Sequence, residues 1–274
     1  MNRFSVLMSI YKNEDPKFLR ESLDSILCNT IQPNEIVIVK DGPLTLDLET
    51  VLDEYQEKTG LFNFVNHKKN QGLGIALRDG LLECKNELVA RMDTDDICHP
   101  QRFQKQLIFL QTHPDISVVG TNVEEFSSNF HHPDQLVIYP HTSQDIITFA
   151  KKRNPMRHPS VMFRKSAVIG SGNYRHFLWF EDYDLCVRML MAGYKMENLD
   201  EVLVYCRADK KLFERRGGIK YLCQDMNFQR FLYQSNFIDY KQFLFNYSVR
   251  FIVRIIPNHL RTLIYKKFLR SKVS

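Results

Sequence analysis

Cysteine pairs of the C-x-x-C kind are missing from this 274-residue sequence. Cys28, Cys84, Cys98, Cys186, Cys206 and Cys223 are scattered singly, which speaks against a zinc site or a disulfide framework and fits a reducing compartment. No stretch reaches the roughly 18 uncharged apolar residues that cross a bilayer. The apolar run in "MNRFSVLMSIYKNED" is too short and wrongly flanked for a signal peptide. A cytoplasmic protein is therefore expected. Acids are absent from residues 240–274, which carry Lys241, Arg250, Arg254, Arg261, Lys266, Lys267, Arg270 and Lys272. The preceding 239 residues hold 29 basic and 32 acidic side chains, so the net charge of +5 belongs to the tail. This asymmetry argues against a nucleic-acid-binding body and for a polyanionic partner, such as an anionic membrane face, met by the C-terminus.

What is present is a chain 44% hydrophobic, enough to bury a full core. Over the first 121 residues apolar runs alternate with helical patterns. "FSVLMSI", "EIVIV", "FNFVN", "ELVARM" and "ISVVGT" read as strands. Between them, Leu19, Leu23 and Ile26 follow Pro16 at helical spacing, Leu48, Val51, Leu52 and Tyr55 form a second stripe, and Ile75 to Leu82 a third. Pro100 opens a fourth, with Phe103, Leu107 and Leu110 on one face. Such βαβα alternation predicts an α/β fold with a mostly parallel, Rossmann-like sheet flanked by helices.

In open α/β sheets ligands bind beyond the carboxyl ends of strands. Three charged stretches converge there: "SIYKNED", "KDGP" and "MDTDD". Asp93, Asp95 and Asp96 would repel one another in a shared crevice unless a hard cation such as Mg²⁺ or Mn²⁺ neutralised them. The competing reading is a solvated helix N-terminus, where Asp caps and meets the helix dipole. Further on, "WFEDYDLCVRMLMAGY" places Glu181, Asp182 and Asp184 in or just before the first turn of a helix, more acids than capping requires. His131 and His132 lack a third ligand at metal spacing and read as surface residues.

"FSVLMSIYKNED", "IVIVKDGP", "NQGLGIALRDGL" and "LVARMDTDD", in that order and spacing, resemble the nucleotide-binding half of a family 2, GT-A-type glycosyltransferase, with "DTDD" as its Asp-x-Asp motif. The resemblance extends over roughly residues 3–215 and implies the GT-A fold, a UDP-sugar donor and Mn²⁺ or Mg²⁺ as cofactor. It implies base recognition by Asp41, with Lys40 where many members carry a second acid, and nucleotide contacts from Ser9 and Tyr11. It implies metal binding by Asp95, with Asp93 at the ribose or a metal-bound water and Asp96 close by. Asp182, beside Glu181 and ahead of Arg188, falls at the position of the general base of an inverting transfer. His158 and Arg164 match acceptor-pocket stretches, and Arg207 or Lys211 a basic segment over the diphosphate.

Three divisions are expected: residues 1–121 for the nucleotide-sugar, 122–216 for the acceptor and base, and 217–274 as a basic amphipathic tail. In the tail Phe245, Val249, Ile252, Val253 and Ile256 track one helix face, and after Pro257 Leu260, Leu263, Ile264 and Phe268 continue on a second helix. Helices of this kind lie on anionic membranes; docking on the catalytic domain or dimerisation is the other use of such a face. A membrane surface suits a lipid-linked acceptor, and the resemblance extends to bacterial β-1,3-glucosyl- or galactosyltransferases acting on GlcNAc- or GalNAc-pyrophosphate-undecaprenol in O-antigen assembly. The alternatives are a nucleotidyltransferase on a similar sheet and a degenerate sugar-nucleotide-binding membrane module. "SIYKNEDP" has no glycine for the phosphate loop of the first, and retention of Asp41, "DTDD" and "ED" together counts against the second.

Overall fold

The computed structural model describes residues 3–208 and 218–255. Its centre is a mixed sheet in the order β3-β2-β1-β4-β8-β6-β9-β5, with β7 paired to β6. The strands β1 (Phe4–Ile10), β2 (Glu35–Lys40), β3 (Phe62–Asn66) and β4 (Leu88–Arg91) run parallel, as the alternation predicts. Between them lie α1 (Pro16–Leu27), α2 (Leu46–Thr59) and α3 (Leu73–Glu83). Local chemistry sets their ends: Asp15 accepts from the Lys17 N–H ahead of Pro16, and Gly60 closes α2 in the left-handed conformation at φ +65°.

Beyond β4 the sheet becomes mixed. A two-residue edge strand, β5 (Ile97–Cys98), pairs with β9 (Lys195–Arg207) and so pins the far end of the acidic loop 92–96, whose near end leaves β4. So short a strand leaves no periodicity to read. After α4 (Arg102–Thr112) comes β6 (Ile116–Phe126), followed by β7 (Gln135–Val137), α5 (Ser143–Ala150) and a 3₁₀ turn (His158–Ser160). β8 (Met162–Arg164) then inserts antiparallel between β4 and β6. The helices α6 (Lys165–Gly170), α7 (Glu181–Met191), α8 (Ile219–Gln234) and α9 (Tyr240–Ile255) complete the described chain.

Two apolar layers cover the sheet, one beneath α1, α2 and α4 and one beneath α3, α6 and α7. A third cluster joins α7 to α8 through Phe180, Tyr183, Val187, Phe228 and Leu232. Where β4 meets the 3₁₀ turn, the seam is polar and dry. Arg102 is fully buried; it donates to Arg91 O at 2.8 Å, Val161 O at 3.2 Å and Gln106 Oε1 at 3.0 Å. Gln106 in turn donates to Ser160 O at 2.8 Å and Val119 O at 3.1 Å. Burial pulls the Arg102 guanidinium below its ordinary value, so hydrogen bonds to backbone carbonyls stand in for water.

Arg102→Met should remove the guanidinium donors from Arg91 O, Gln106 Oε1 and Val161 O, leaving Val161 O its bond from the Arg91 N–H, and cost about 3 kcal/mol. The measurement is the urea midpoint at constant m-value, and an unchanged midpoint would show that the seam tolerates an apolar side chain.

Candidate active site

The strand ends open into one cleft lined by Ser9, Tyr11, Asp41 and Gly72, by Asp93, Asp95 and Asp96, and by Arg157, Trp179, Glu181 and Arg207. Asp41 leaves β2 buried and fully engaged. Its Oδ1 accepts from the Gln71 N–H at 2.8 Å and bonds His67 Nδ1 at 2.9 Å, while Oδ2 accepts from the Gly72 N–H at 2.9 Å. The other His67 nitrogen meets Asp79 Oδ2 at 3.1 Å, so the ring ties the Asp41 turn to α3. Glycine is required beside Asp41: Gly42 has φ +93°, and a Cβ there would lie 2.7 Å from Asn70 N. Lys40 turns away to pair with Glu49 and lie 4.6 Å over the Phe64 ring.

The loop between β4 and β5 gathers one oxygen each from Asp93, Asp95 and Asp96 within 4.8 Å of one another. An all-carboxylate donor set of this size fits a hard divalent cation. Beneath it lies Arg91, 1% exposed and paired with Asp93, with Nε and Nη1 buried and unpartnered among the described residues. Burial, then Asp93, pushes Asp95 up to about 6. Asp96, fully enclosed beside Asp95 and Asp93, is pushed up well beyond the usual carboxylate range. Arg207 closes the loop: its N–H donates to Asp96 Oδ1 at 2.8 Å, its Nε to Asp95 O at 3.1 Å, and Nη2 meets Glu21 Oε2 at 2.7 Å. The guanidinium lies 3.7 Å over the Phe18 ring, which fixes it in place.

Glu181 and Asp182 open α7 and diverge. Glu181 lines the cleft, and burial, then the Asp182 charge, pushes it up to about 8. Asp182 faces a smaller cavity behind it, lined by His158, Tyr174 and Asn154. The Asp182 carboxylate accepts from Asn154 Nδ2 at 2.8 Å and from the Tyr183 N–H at 2.7 Å. The α3 backbone sets this position closely: a Cβ on Gly74 would strike Arg175 O and reach within 3.1 Å of Glu181 Cβ.

Arg164 and Arg188 fall away from the cleft, and His158 lines the smaller cavity beside Asp182. Arg164 donates to Ile116 O at 3.0 Å and Leu110 O at 2.8 Å, a clamp on the end of α4 away from the cleft. Arg188 pairs with Asp184 and donates to Asn173 O at 2.7 Å, bracing the turn before α7. His158 sits behind the cleft, 2.9 Å from the Tyr174 hydroxyl, where burial, then Arg91 and Arg157, pushes it well below its ordinary value. Lys211 lies outside the described residues. Conversely, the cleft includes Arg157, buried and 3.6 Å from Glu125, together with Phe177 and Trp179, none of which sequence patterning selects. Their only signal is nearness in sequence to His158 and to the Glu-Asp pair.

A sequence profile described as Glycosyl transferase family 2 matches residues 5–170. The UDP-Gal:alpha-D-GlcNAc-diphosphoundecaprenol beta-1,3-galactosyltransferase of Escherichia coli is 38% identical over 269 residues, covering 98% of this chain and 97% of the relative. Amylovoran biosynthesis glycosyltransferase AmsE of Erwinia amylovora is 37% identical over 267 residues, covering 96% and 98%. Among solved structures, S. aureus TarS 1-349 in complex with UDP-GlcNAc superposes with a TM-score of 0.62 at 15% identity, over 97% of this chain and 71% of that one, which supports the GT-A fold.

Glu181, Asp95 and Asp96 hold protons more tightly in the folded chain than an unfolded one, where carboxyls titrate near about 4. From that value up to about 8 the folded state therefore binds more protons, and their contribution to stability falls as pH rises. The metal-free protein should melt lower at about pH 8 than at about pH 5, Glu181→Gln should narrow the gap, and Mn²⁺ should raise the melting temperature more at the higher pH. A gap that Glu181→Gln leaves untouched would place the linked proton elsewhere.

Proposed function

Because this chain belongs to glycosyl transferase family 2, we propose that it moves a hexose, glucose or galactose, from a UDP-sugar to the sugar of a lipid-linked saccharide, with inversion at the anomeric carbon. The acceptor is GlcNAc or GalNAc on a diphosphate-linked polyprenol, and the product is a bacterial surface polysaccharide unit such as an O-antigen. The observation that carries this reading is that Asp41, the three-acid loop and Glu181 line one cleft, with Asp182 next to Glu181 at the head of α7, while a relative that shares 38% identity over nearly its whole length is named for the same chemistry.

In this reading residues 1–121 bind the donor: Ser9, Tyr11 and Asp41 hold the nucleoside, and Asp95, with Asp93 and Asp96, would hold Mn²⁺ or Mg²⁺. That ion would neutralise charge on the diphosphate. Arg157 and Arg207 add fixed positive charge at the same end of the cleft. Residues 122–216 supply the base. Asp182, whose carboxylate accepts from Asn154 Nδ2 and the Tyr183 N–H, is the base, while Glu181 keeps its proton up to about 8. The acceptor oxygen attacks the anomeric carbon from the face opposite UDP, Asp182 takes its proton, and the bond to the diphosphate oxygen breaks. Protonated Glu181 orients a sugar hydroxyl beside it.

Residues 217–274 place the enzyme on an anionic membrane surface. The described part of the tail has its polarity inverted: Asn246 is buried against Gln229 and Lys151 O, and Arg250 pairs with Asp225, whereas Phe245 and Ile252 are each 61% exposed. An apolar face turned outward with basic charge near it suits a lipid interface. No described helix is long and apolar enough to cross a membrane. The second tail helix expected around Leu260, Leu263, Ile264 and Phe268 lies outside the described residues.

Transfer from a panel of UDP-sugars to a synthetic GlcNAc-diphosphate-lipid should give product with one donor and Mn²⁺ and none with EDTA. Asp182→Asn should lower kcat by roughly 10³-fold with UDP affinity unchanged. Glu181→Gln should keep most activity at neutral pH and lose the fall in rate near the alkaline end; equal losses in both variants would unseat Asp182 as the base. Phe245→Glu with Ile252→Glu should abolish co-sedimentation with vesicles containing an anionic phospholipid while sparing transfer to a short-chain, water-soluble acceptor.

A further inference from the structure

Trp179 is the sole tryptophan of the chain, and it occupies a conformation that bulky residues rarely adopt. Its φ is +68°, in the left-handed region, and the two other non-glycine residues there among those described are asparagines, for which the region is ordinary. The residues around it explain how the strain is held. Phe177 packs edge-on against Phe228 at 5.2 Å, and Phe180 stacks on the same ring at 5.1 Å, so both flanks of the loop are anchored in the cluster between α7 and α8. Trp179 between them is left out of that cluster. It lines the cleft beside Glu181, 38% exposed, with its ring stacked on Tyr221 at 5.1 Å and Lys220 Nζ 5.8 Å from its centroid.

A strained backbone that exposes a large aromatic at a cleft, when the next residue, Phe180, is buried, marks a recognition element. We infer that Trp179, backed by Tyr221 and flanked by Lys220, is the platform for the pyranose of the acceptor. An indole face carries negative electrostatic potential and suits the weakly positive C–H face of a sugar ring, while the lysine ammonium suits the phosphate to which that sugar is joined. Placement decides between the two sugars. The donor's nucleoside and diphosphate are assigned to Asp41 and the acidic loop, whereas Trp179 adjoins the Glu181–Asp182 pair, where the acceptor hydroxyl must lose its proton. Tyr221 and Lys220 also lie on α8, the helix on which α9 packs with its apolar face outward, so the platform and the lipid-facing surface share one helical unit. The assignment rests on the proposed acceptor class.

The test uses the full chain and its one indole as reporter. Tryptophan emission is titrated with a synthetic GlcNAc-diphosphate-alkyl acceptor, with the same alkyl diphosphate lacking the sugar, and with UDP. A saturable change is expected with the first and not with the second. In transfer assays Trp179→Gly, which removes the ring and accepts the positive φ, should raise acceptor KM at least about tenfold and leave UDP affinity within about twofold. Trp179→Phe should recover part of the loss. Transfer by the wild type with silent emission, or with an acceptor KM that Trp179→Gly leaves unchanged, overturns the platform and spares the proposed reaction. Saturable, sugar-dependent emission without transfer to any acceptor spares the platform and overturns the reaction. Silence together with no transfer overturns both.

Discussion

Like charges crowded into a partly dry cleft repel, and the site is organised around that repulsion. Asp93, Asp95, Asp96 and Glu181 line one wall-to-wall space, with Asp182 behind. Arg91 lies under them, in a position where burial works against its charge and Asp93, with Tyr174 and Asp96, outweighs that cost. Breaking such a buried pairing from either side leaves an uncompensated charge. Nε and Nη1 of Arg91 have no partner among the described residues, and its pairing with Asp93 leaves Asp95, Asp96 and Glu181 without an equivalent buried cation beneath them. What remains is an excess of negative charge at the acidic loop, which favours a divalent ion carrying a diphosphate, and a proton retained on Glu181.

The rest of the fold serves to keep these groups from relaxing apart. β5 has two residues, yet its pairing with β9 anchors the acidic loop at its far end as β4 does at its near end. Arg207, at the last position of β9, reaches back to Asp95, Asp96 and Glu21, so β9 holds the loop twice. On the opposite wall, His67 holds Asp41 to α3, and the small Gly74 lets α3 press against the segment that carries Glu181. The Asp41 turn and the Glu181 segment are therefore both held against one helix, α3.

The parallel half of the sheet was legible because each of its strands is a continuous apolar run and each helix an amphipathic stripe bounded by proline, glycine or a capping side chain. "NPMRHPSVMFRKS" reads as a loop before a strand-like run, where β8 lies, but its antiparallel insertion and the long pairing of β6 with β9 were not legible, since they depend on partners more than 40 residues away. Among the site residues, Asp41, Asp93, Asp95, Asp96, Glu181 and Asp182 stand out by motif. Arg164 and Arg188 carry the right charge in the right segments, but an arginine serves equally well as a clamp on backbone carbonyls, and nothing in a linear pattern distinguishes the two uses.

The sequence by itself determined the family, the order of the nucleotide-binding elements and the identity of the acids, because those depend on local periodicity and on residues that stay close along the chain. Tertiary structure alone decided which basic residues face the cleft, that Glu181 and Asp182 look into different spaces, and that Trp179 is turned outward while Phe180 beside it is buried. These outcomes depend on contacts between distant segments, and on the burial that raises the Glu181 carboxyl and lowers the His158 imidazole. Burial is a property of the packed molecule; a residue acquires it only when the chain has closed around it.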